Sequence, residues 1–145
     1  GTQMAGKKLT CLYCAQVNRV PFDKLGDNPK CGSCAKGLMP SKAVEITPAI
    51  LAKAAANDDV PLVVDFWAPW CGPCKAMGPE FNKAASELAG KARLVKMNTQ
   101  EHATISSKMN IKGIPTMVAW QNGRELKRKS GALKMWQIVN WVPEG

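Results

Sequence analysis

Leu62-Val63-Val64-Asp65-Phe66-Trp67 leads through Ala68-Pro69 into Trp70-Cys71-Gly72-Pro73-Cys74-Lys75. The first six residues have the length and branching of a buried central strand. The next six open like a helix. A helix N-terminus carries partial positive charge and unpaired N–H groups, which favour a sulfur there as thiolate. Thiolate is the form that attacks disulfides at neutral pH. Pro73 has no N–H to lose and a fixed φ, so it suits the first turn, while Gly72 leaves room for another backbone beside the sulfurs. A Cys-x-x-Cys pair can also be half of a metal site; the βαβ-like patterning around this one points to a redox dithiol.

Downstream, the helix is predicted to run to about Ala89, kinked at Pro79, with Phe81, Ala85 and Leu88 at core spacing. Ala92–Asn98 reads as a second buried strand and Glu101–Asn110 as a weaker helix with Ile105 and Met109 inward. Thr116-Met117-Val118-Ala119-Trp120 follows as a strand opened by Pro115, Asn122-Gly123 as a hairpin turn, and Glu125–Lys129 as a basic edge strand. Leu133–Val142 forms a last helix, with Leu133, Trp136 and Val139 or Asn140 expected on its buried face. Upstream, Val44-Glu45-Ile46 is a short strand, and Thr47-Pro48 caps a helix that reaches about Ala55 and ends at Asn57-Asp58-Asp59.

Asp65 interrupts the apolar strand. Burial there raises a carboxyl's pKa. One reading has it face solvent; the other, six residues before Cys71, has it take a proton from Cys74. Lys96 is its natural charge partner if the two strands are neighbours, or else a snorkelling surface lysine.

Cys11-Leu12-Tyr13-Cys14 and Cys31-Gly32-Ser33-Cys34 stand sixteen residues apart, a spacing that supplies the four tetrahedral ligands of one structural zinc. Two disulfides or a second dithiol are the rivals, but neither pair follows a strongly apolar strand. Leu12, Val17, Val20, Phe22 and Leu25 are too few for a core, so metal is expected to fold the segment. Four sulfurs leave no open coordination position, and no hydrolytic chemistry is assigned. The resulting division is a zinc-binding module over residues 1–36, a linker over 37–43 interrupted by Gly37 and Pro40, and a catalytic domain over 44–145.

The formal net charge is +9 over 145 residues. Residues 1–42 hold seven Lys/Arg against two Asp/Glu, and the rest thirteen against nine. That asymmetry invites a nucleic-acid reading, weakened because four thiolates on one Zn²⁺ subtract two charges and only Tyr13 and Phe22 could stack on bases. Nucleic acid is therefore not the expected partner. No apolar run reaches about eighteen residues, so neither a membrane span nor a membrane partner is expected. Gly1–Lys8 lacks the apolar core of a secretory signal, and Met4 is read as the natural start. Six cysteines in three Cys-x-x-Cys pairs suit a reducing compartment, and a cytoplasmic location is expected.

Val64-Asp65-Phe66-Trp67-Ala68-Pro69-Trp70-Cys71-Gly72-Pro73-Cys74-Lys75 resembles the active-site block of the thioredoxin family. Pro79, Lys96, Gly113-Ile114-Pro115-Thr116, Asn122-Gly123 and Gly131 stand in the family's order and spacing. The resemblance covers about residues 43–142, and the four-cysteine segment adds a likeness to the family's zinc-binding bacterial branch. It implies an α/β thioredoxin fold, with a central mixed sheet of about five strands flanked by helices and a small N-terminal zinc-ribbon-like domain. It further implies a protein disulfide reductase in which Cys71 attacks, Cys74 resolves, Asp65 and Lys96 assist, and a cis Pro115 lies against the dithiol. Target chains are expected on Trp70, Gly72, Pro73, Ile114, Gly131 and Ala132. Disulfide-bearing proteins are the expected targets, a flavin-containing thioredoxin reductase the expected electron donor, and zinc on Cys11, Cys14, Cys31 and Cys34 the expected cofactor, with no organic one. The family's acid shortly after the Lys96 strand is replaced here by Gln100-Glu101. A zinc-dependent redox sensor, or a nucleic-acid or partner-binding module joined to a redox-active domain, is the alternative.

Overall fold

The computed structural model describes residues 5–145, so the expected start at Met4 lies outside the described residues. Two strands, β1 (Gly6–Thr10) and β2 (Val17–Pro21), form an antiparallel pair. The larger part then alternates β3 (Val44–Glu45), α1 (Pro48–Asn57), β4 (Leu62–Trp67), α2 (Gly72–Glu87), β5 (Arg93–Asn98), α3 (Ile105–Lys108), β6 (Thr116–Gln121), β7 (Arg124–Ser130) and α4 (Met135–Trp141). Among the described residues its sheet has the order β3-β5-β4-β6-β7, the first three strands parallel and the last two antiparallel to their neighbours. This is the expected mixed five-stranded sheet.

β4 lies at the centre because both of its faces are apolar. Leu62, Val64 and Phe66 pack with Leu51 and Ala54 of α1 and Ile105 of α3. Val63 packs with Met77 and Phe81 of α2 and Ile138 of α4. Thr47 accepts the Ile50 N–H at 3.3 Å and starts α1 as expected. Asn122 and Gly123 hold φ of 54° and 82°, the left-handed pair that a tight hairpin between β6 and β7 demands.

Three expectations change. The stretch Glu101–Asn110 contracts to one turn of helix, α3, where too few residues follow the nucleus to repay its entropy. Trp136 is 61% exposed, not buried. Lys134 caps α4, and that start rotates Ile138 into the core with Met135, Val139 and Trp141 beside it.

The N-terminal segment also has more apolar support than its sequence suggested. Leu9, Cys11, Val20, Cys31, Leu38 and Met39 cluster around Val60, which lies just before β4. Leu12 joins the core that contains Leu51 and Ala54, whereas Phe22 stays exposed. Leu38 is fully buried, so the connecting stretch is pinned rather than loose.

Candidate functional site

Cys71 ends the loop after β4 and caps α2, its sulfur accepting the Cys74 N–H at 3.2 Å. The two cysteines, with Cα atoms 5.2 Å apart, are joined as a disulfide. Pro73 lies in the first turn of α2, and Pro79 falls inside the helix without ending it. Both cysteines are buried, 5% and 3% exposed, so exposure barely distinguishes them. Their environments differ more. Cys71 Sγ holds the capping N–H and lies 3.8 Å from the Ile114 carbonyl, whereas Cys74 sits one turn inside α2. An N–H aimed at a sulfur at a helix N-terminus favours thiolate once the bond is reduced.

Around the pair lies an accessible rim. Trp70 is 70% exposed, Gly72, Pro73, Gly131 and Ala132 are exposed, and Ile114 is half-buried against the cysteines. The Ile114–Pro115 bond is cis, as expected. Thr116 begins β6, its hydroxyl donating to the Gly113 carbonyl and pairing with Ser130 Oγ at 2.9 Å.

Asp65 is not on the solvent side. It is 3% exposed on the sheet face that α2 covers, in register with Lys96 of β5 and Met117 of β6. Burial pushes its carboxyl up to about 7, against the pull of Lys96 and with a smaller push from Glu45. The Lys96 ammonium stands 5.1 Å from the Trp67 ring centre, and Asp65 Oδ1 has no hydrogen-bond partner among the described residues. A carboxyl that titrates near neutrality can take and return a proton.

The four other cysteines converge from two knuckle turns. Ala15 and Ala35, at φ of 69° and 67°, donate their N–H groups to the Cys11 and Cys31 carbonyls, and each knuckle closes with a second backbone bond, Cys11 N–H to Gln16 and Cys31 N–H to Lys36. All four sulfurs lie within 4.8 Å of one another, Cys11 and Cys34 at 3.5 Å and Cys14 and Cys31 at 3.6 Å. A tetrahedron with Zn–S bonds of about 2.3 Å has S–S edges of about 3.8 Å, so the set fits zinc. N–H groups already face these sulfurs: Tyr13 and Cys14 donate to Cys11, Ser33 and the Asn18 amide to Cys31. The Cys34 N–H contributes most, and together they hold Cys31 down to about 6.

Sequence reasoning missed the contact that docks this module. Arg93, at the start of β5, and Asp58, after α1, form a fully buried ion pair. Arg93 also donates to the Leu38 carbonyl at 3.0 Å, and Asp58 accepts the Thr10 N–H at 2.9 Å. Burial raises the Asp58 carboxyl, with Arg93 and Thr10 opposing it. Asp59 pairs with the Lys8 backbone through 2.7 and 3.0 Å bonds and receives the amides of Gln121 and Asn122 at 2.8 and 3.1 Å. Adjacent acids looked like a helix stop, and only their partners, at least 35 residues away, reveal a hub.

The family described as Thioredoxin matches residues 42–144, and the one described as Thioredoxin 2, N-terminal, a zinc ribbon, matches residues 10–36. A thioredoxin C-3 of Corynebacterium nephridii is 34% identical over 136 residues, covering 94% of this chain and 93% of that protein. A thioredoxin of Haemophilus influenzae is 36% identical over 102 residues, or 70% and 95% of the two chains. Among solved structures, a chloroplastic thioredoxin z aligns with a TM-score of 0.63 and 34% identity, covering 68% of this chain and 89% of its own.

Proposed function

The chain belongs to the thioredoxin family and is a protein-disulfide oxidoreductase; on that premise we propose that it is a cytoplasmic reductase of protein disulfides serving general redox homeostasis and the oxidative-stress response. One observation carries the reading: a disulfide-forming pair caps a sixteen-residue helix beneath an exposed apolar rim.

The Cys71 thiolate attacks one sulfur of a target disulfide. That bond breaks, the departing target sulfur takes up a proton, and a mixed disulfide joins Cys71 to the target. Cys74 then gives its proton to Asp65, directly or through water, and attacks the Cys71 sulfur. The mixed disulfide breaks, the second target sulfur takes up the proton that Asp65 received, the target leaves as a dithiol carrying two electrons, and Cys71–Cys74 closes. A flavin-containing thioredoxin reductase returns those electrons. Trp70, Gly72, Pro73, Ile114, Gly131 and Ala132 receive the target's extended backbone, Pro115 keeps the sulfurs' approach clear, and Lys96 holds charge near Asp65. What supports these roles is the burial of Asp65, its register with Lys96 and the exposure of the rim.

Cys11, Cys14, Cys31 and Cys34 would hold one Zn²⁺ as a closed structural centre within residues 1–36, joined through 37–43 to the catalytic domain over 44–145. The metal supplies cross-linking rather than chemistry at an open position. Among the described residues no helix is long and apolar enough to cross a membrane.

Replacing Cys74 by serine tests the attack order. The variant is expected to accumulate disulfide-linked complexes with target proteins on non-reducing gels. Their absence, with Cys71 intact, would reverse the order of attack.

A further inference from the structure

Three adjacent strands each place a charged side chain in one row of the sheet. The register sets Glu45 of β3 opposite Lys96 of β5, and Lys96 opposite Asp65 of β4, on the face covered by α2. Glu45 and Asp65 thus flank one lysine across two strand spacings, about 9.6 Å. Glu45 is also tied to the dithiol by a second route. The Trp67 indole N–H donates to both its carboxylate oxygens, at 2.9 and 3.3 Å, and the Trp67 ring packs against the cluster of Ala68, Cys71 and Cys74. The same ring carries the Lys96 ammonium.

We propose that Glu45 is a positioning residue of the exchange reaction, fixing the Trp67 indole and competing with Asp65 for the Lys96 ammonium, so that the strength of the buried base is set from the sheet edge. The inference rests on the reading of Asp65 as the proton acceptor. A lysine shared between two carboxylates neutralises each less than it would one alone, and the second negative charge opposes ionisation of the first. Without Glu45, Lys96 would serve Asp65 undivided, and Asp65 would ionise at lower pH and bind the Cys74 proton more weakly.

The other groups facing Asp65 are few. β6 presents Met117, and Lys129 of β7 lies one strand further in the same row. α2 brings Cys74. Glu101, after β5, acts on Glu45 and raises it. Burial is the largest influence raising the Glu45 carboxyl, opposed by the Trp67 N–H and Lys96.

The test is the pH profile of mixed-disulfide resolution, measured by rapid quench of the reduced full chain with insulin as the disulfide probe, beside a ¹³C titration of the Asp65 carboxyl. Glu45→Gln keeps an oxygen for the Trp67 N–H and removes only the charge. Its midpoint is expected to fall by about half a unit, with the shift shrinking in high salt. Glu45→Asp, which keeps the charge, is expected to restore most of the wild-type profile, and it takes over the test if the glutamine variant does not fold. An unchanged or raised midpoint in Glu45→Gln, while Asp65→Asn alters the profile, overturns the role of Glu45 and leaves the base standing. A wild-type profile in Asp65→Asn removes the base itself, and this inference with it.

Discussion

Three Cys-x-x-Cys turns in one chain stand in two settings, and the difference lies outside the motif. Cys71 and Cys74 open a helix that packs on a central sheet, on the face where Asp65 is buried, and an exposed apolar rim surrounds them. Cys11, Cys14, Cys31 and Cys34 face one another from paired knuckles, their sulfurs within 4.8 Å of one another. An exchange thiol needs a route for a target sulfur and a group to take its proton. A structural ligand needs neither, only three more sulfurs at the edge length of a tetrahedron. Identical spacing therefore says little until the fold decides what stands opposite each sulfur.

The sharpest way to break this contrast is to remove one sulfur from each set. Cys71→Ser is expected to reduce insulin reduction to the uncatalysed background, while Cys14→Ser leaves the rate per folded molecule within about twofold. Equal losses would erase the distinction. Chelation at neutral pH follows. Backbone amides of residues 6–38 should lose hydrogen-exchange protection, since apparent zinc affinities of structural sites are worth about 10–16 kcal/mol, and the reductase rate should stay within about twofold. Retention of full protection without metal would mean that apolar packing alone holds the module.

Arg93→Leu probes the joint between the two regions. It strands Asp58 as a buried charge, and breaking such a pair costs about 3–5 kcal/mol, read as a lower urea midpoint. Activity per folded molecule should be unchanged, because Arg93 touches neither the dithiol nor its rim. A loss below about 1 kcal/mol would show that solvent reaches Asp58.

Asp65→Asn acts on the dithiol side alone. A carboxyl raised from 3.8 to about 7 binds its proton more tightly in the folded than in the unfolded chain. Its contribution is intact below about pH 4, falls as pH climbs through about 7, and then levels off. The variant should therefore gain up to about 4 kcal/mol above pH 7 and nothing at pH 3, measured by urea unfolding at both values. It should also slow resolution about a hundredfold at pH 7, the low end for a lost general base. A gain over wild type no larger at pH 8 than at pH 3 would place Asp65 in contact with water.

Much of this organisation was readable in advance because local chemistry dictated it. Leu62–Trp67 could only be a central strand, and Cys71 through Lys75 could only start a helix after it. The sixteen-residue gap between the N-terminal pairs likewise pointed to one shared centre. The rest depends on long-range partners. Asp58 and Arg93 lie 35 residues apart and look ordinary alone. Glu45 gains meaning only from its register with Lys96. Trp136 sat at plausible core spacing, and a different helix start was enough to turn it outward.

The docking hub lies where β4 and β5 begin, and the dithiol lies beyond where β4 ends, at the opposite end of α2. A sixteen-residue helix spans about 24 Å, far beyond the reach of any side chain. The contacts that dock the N-terminal module therefore stand about a helix's length from the dithiol, and a substitution in the hub can loosen the module without reaching the pair that exchanges electrons.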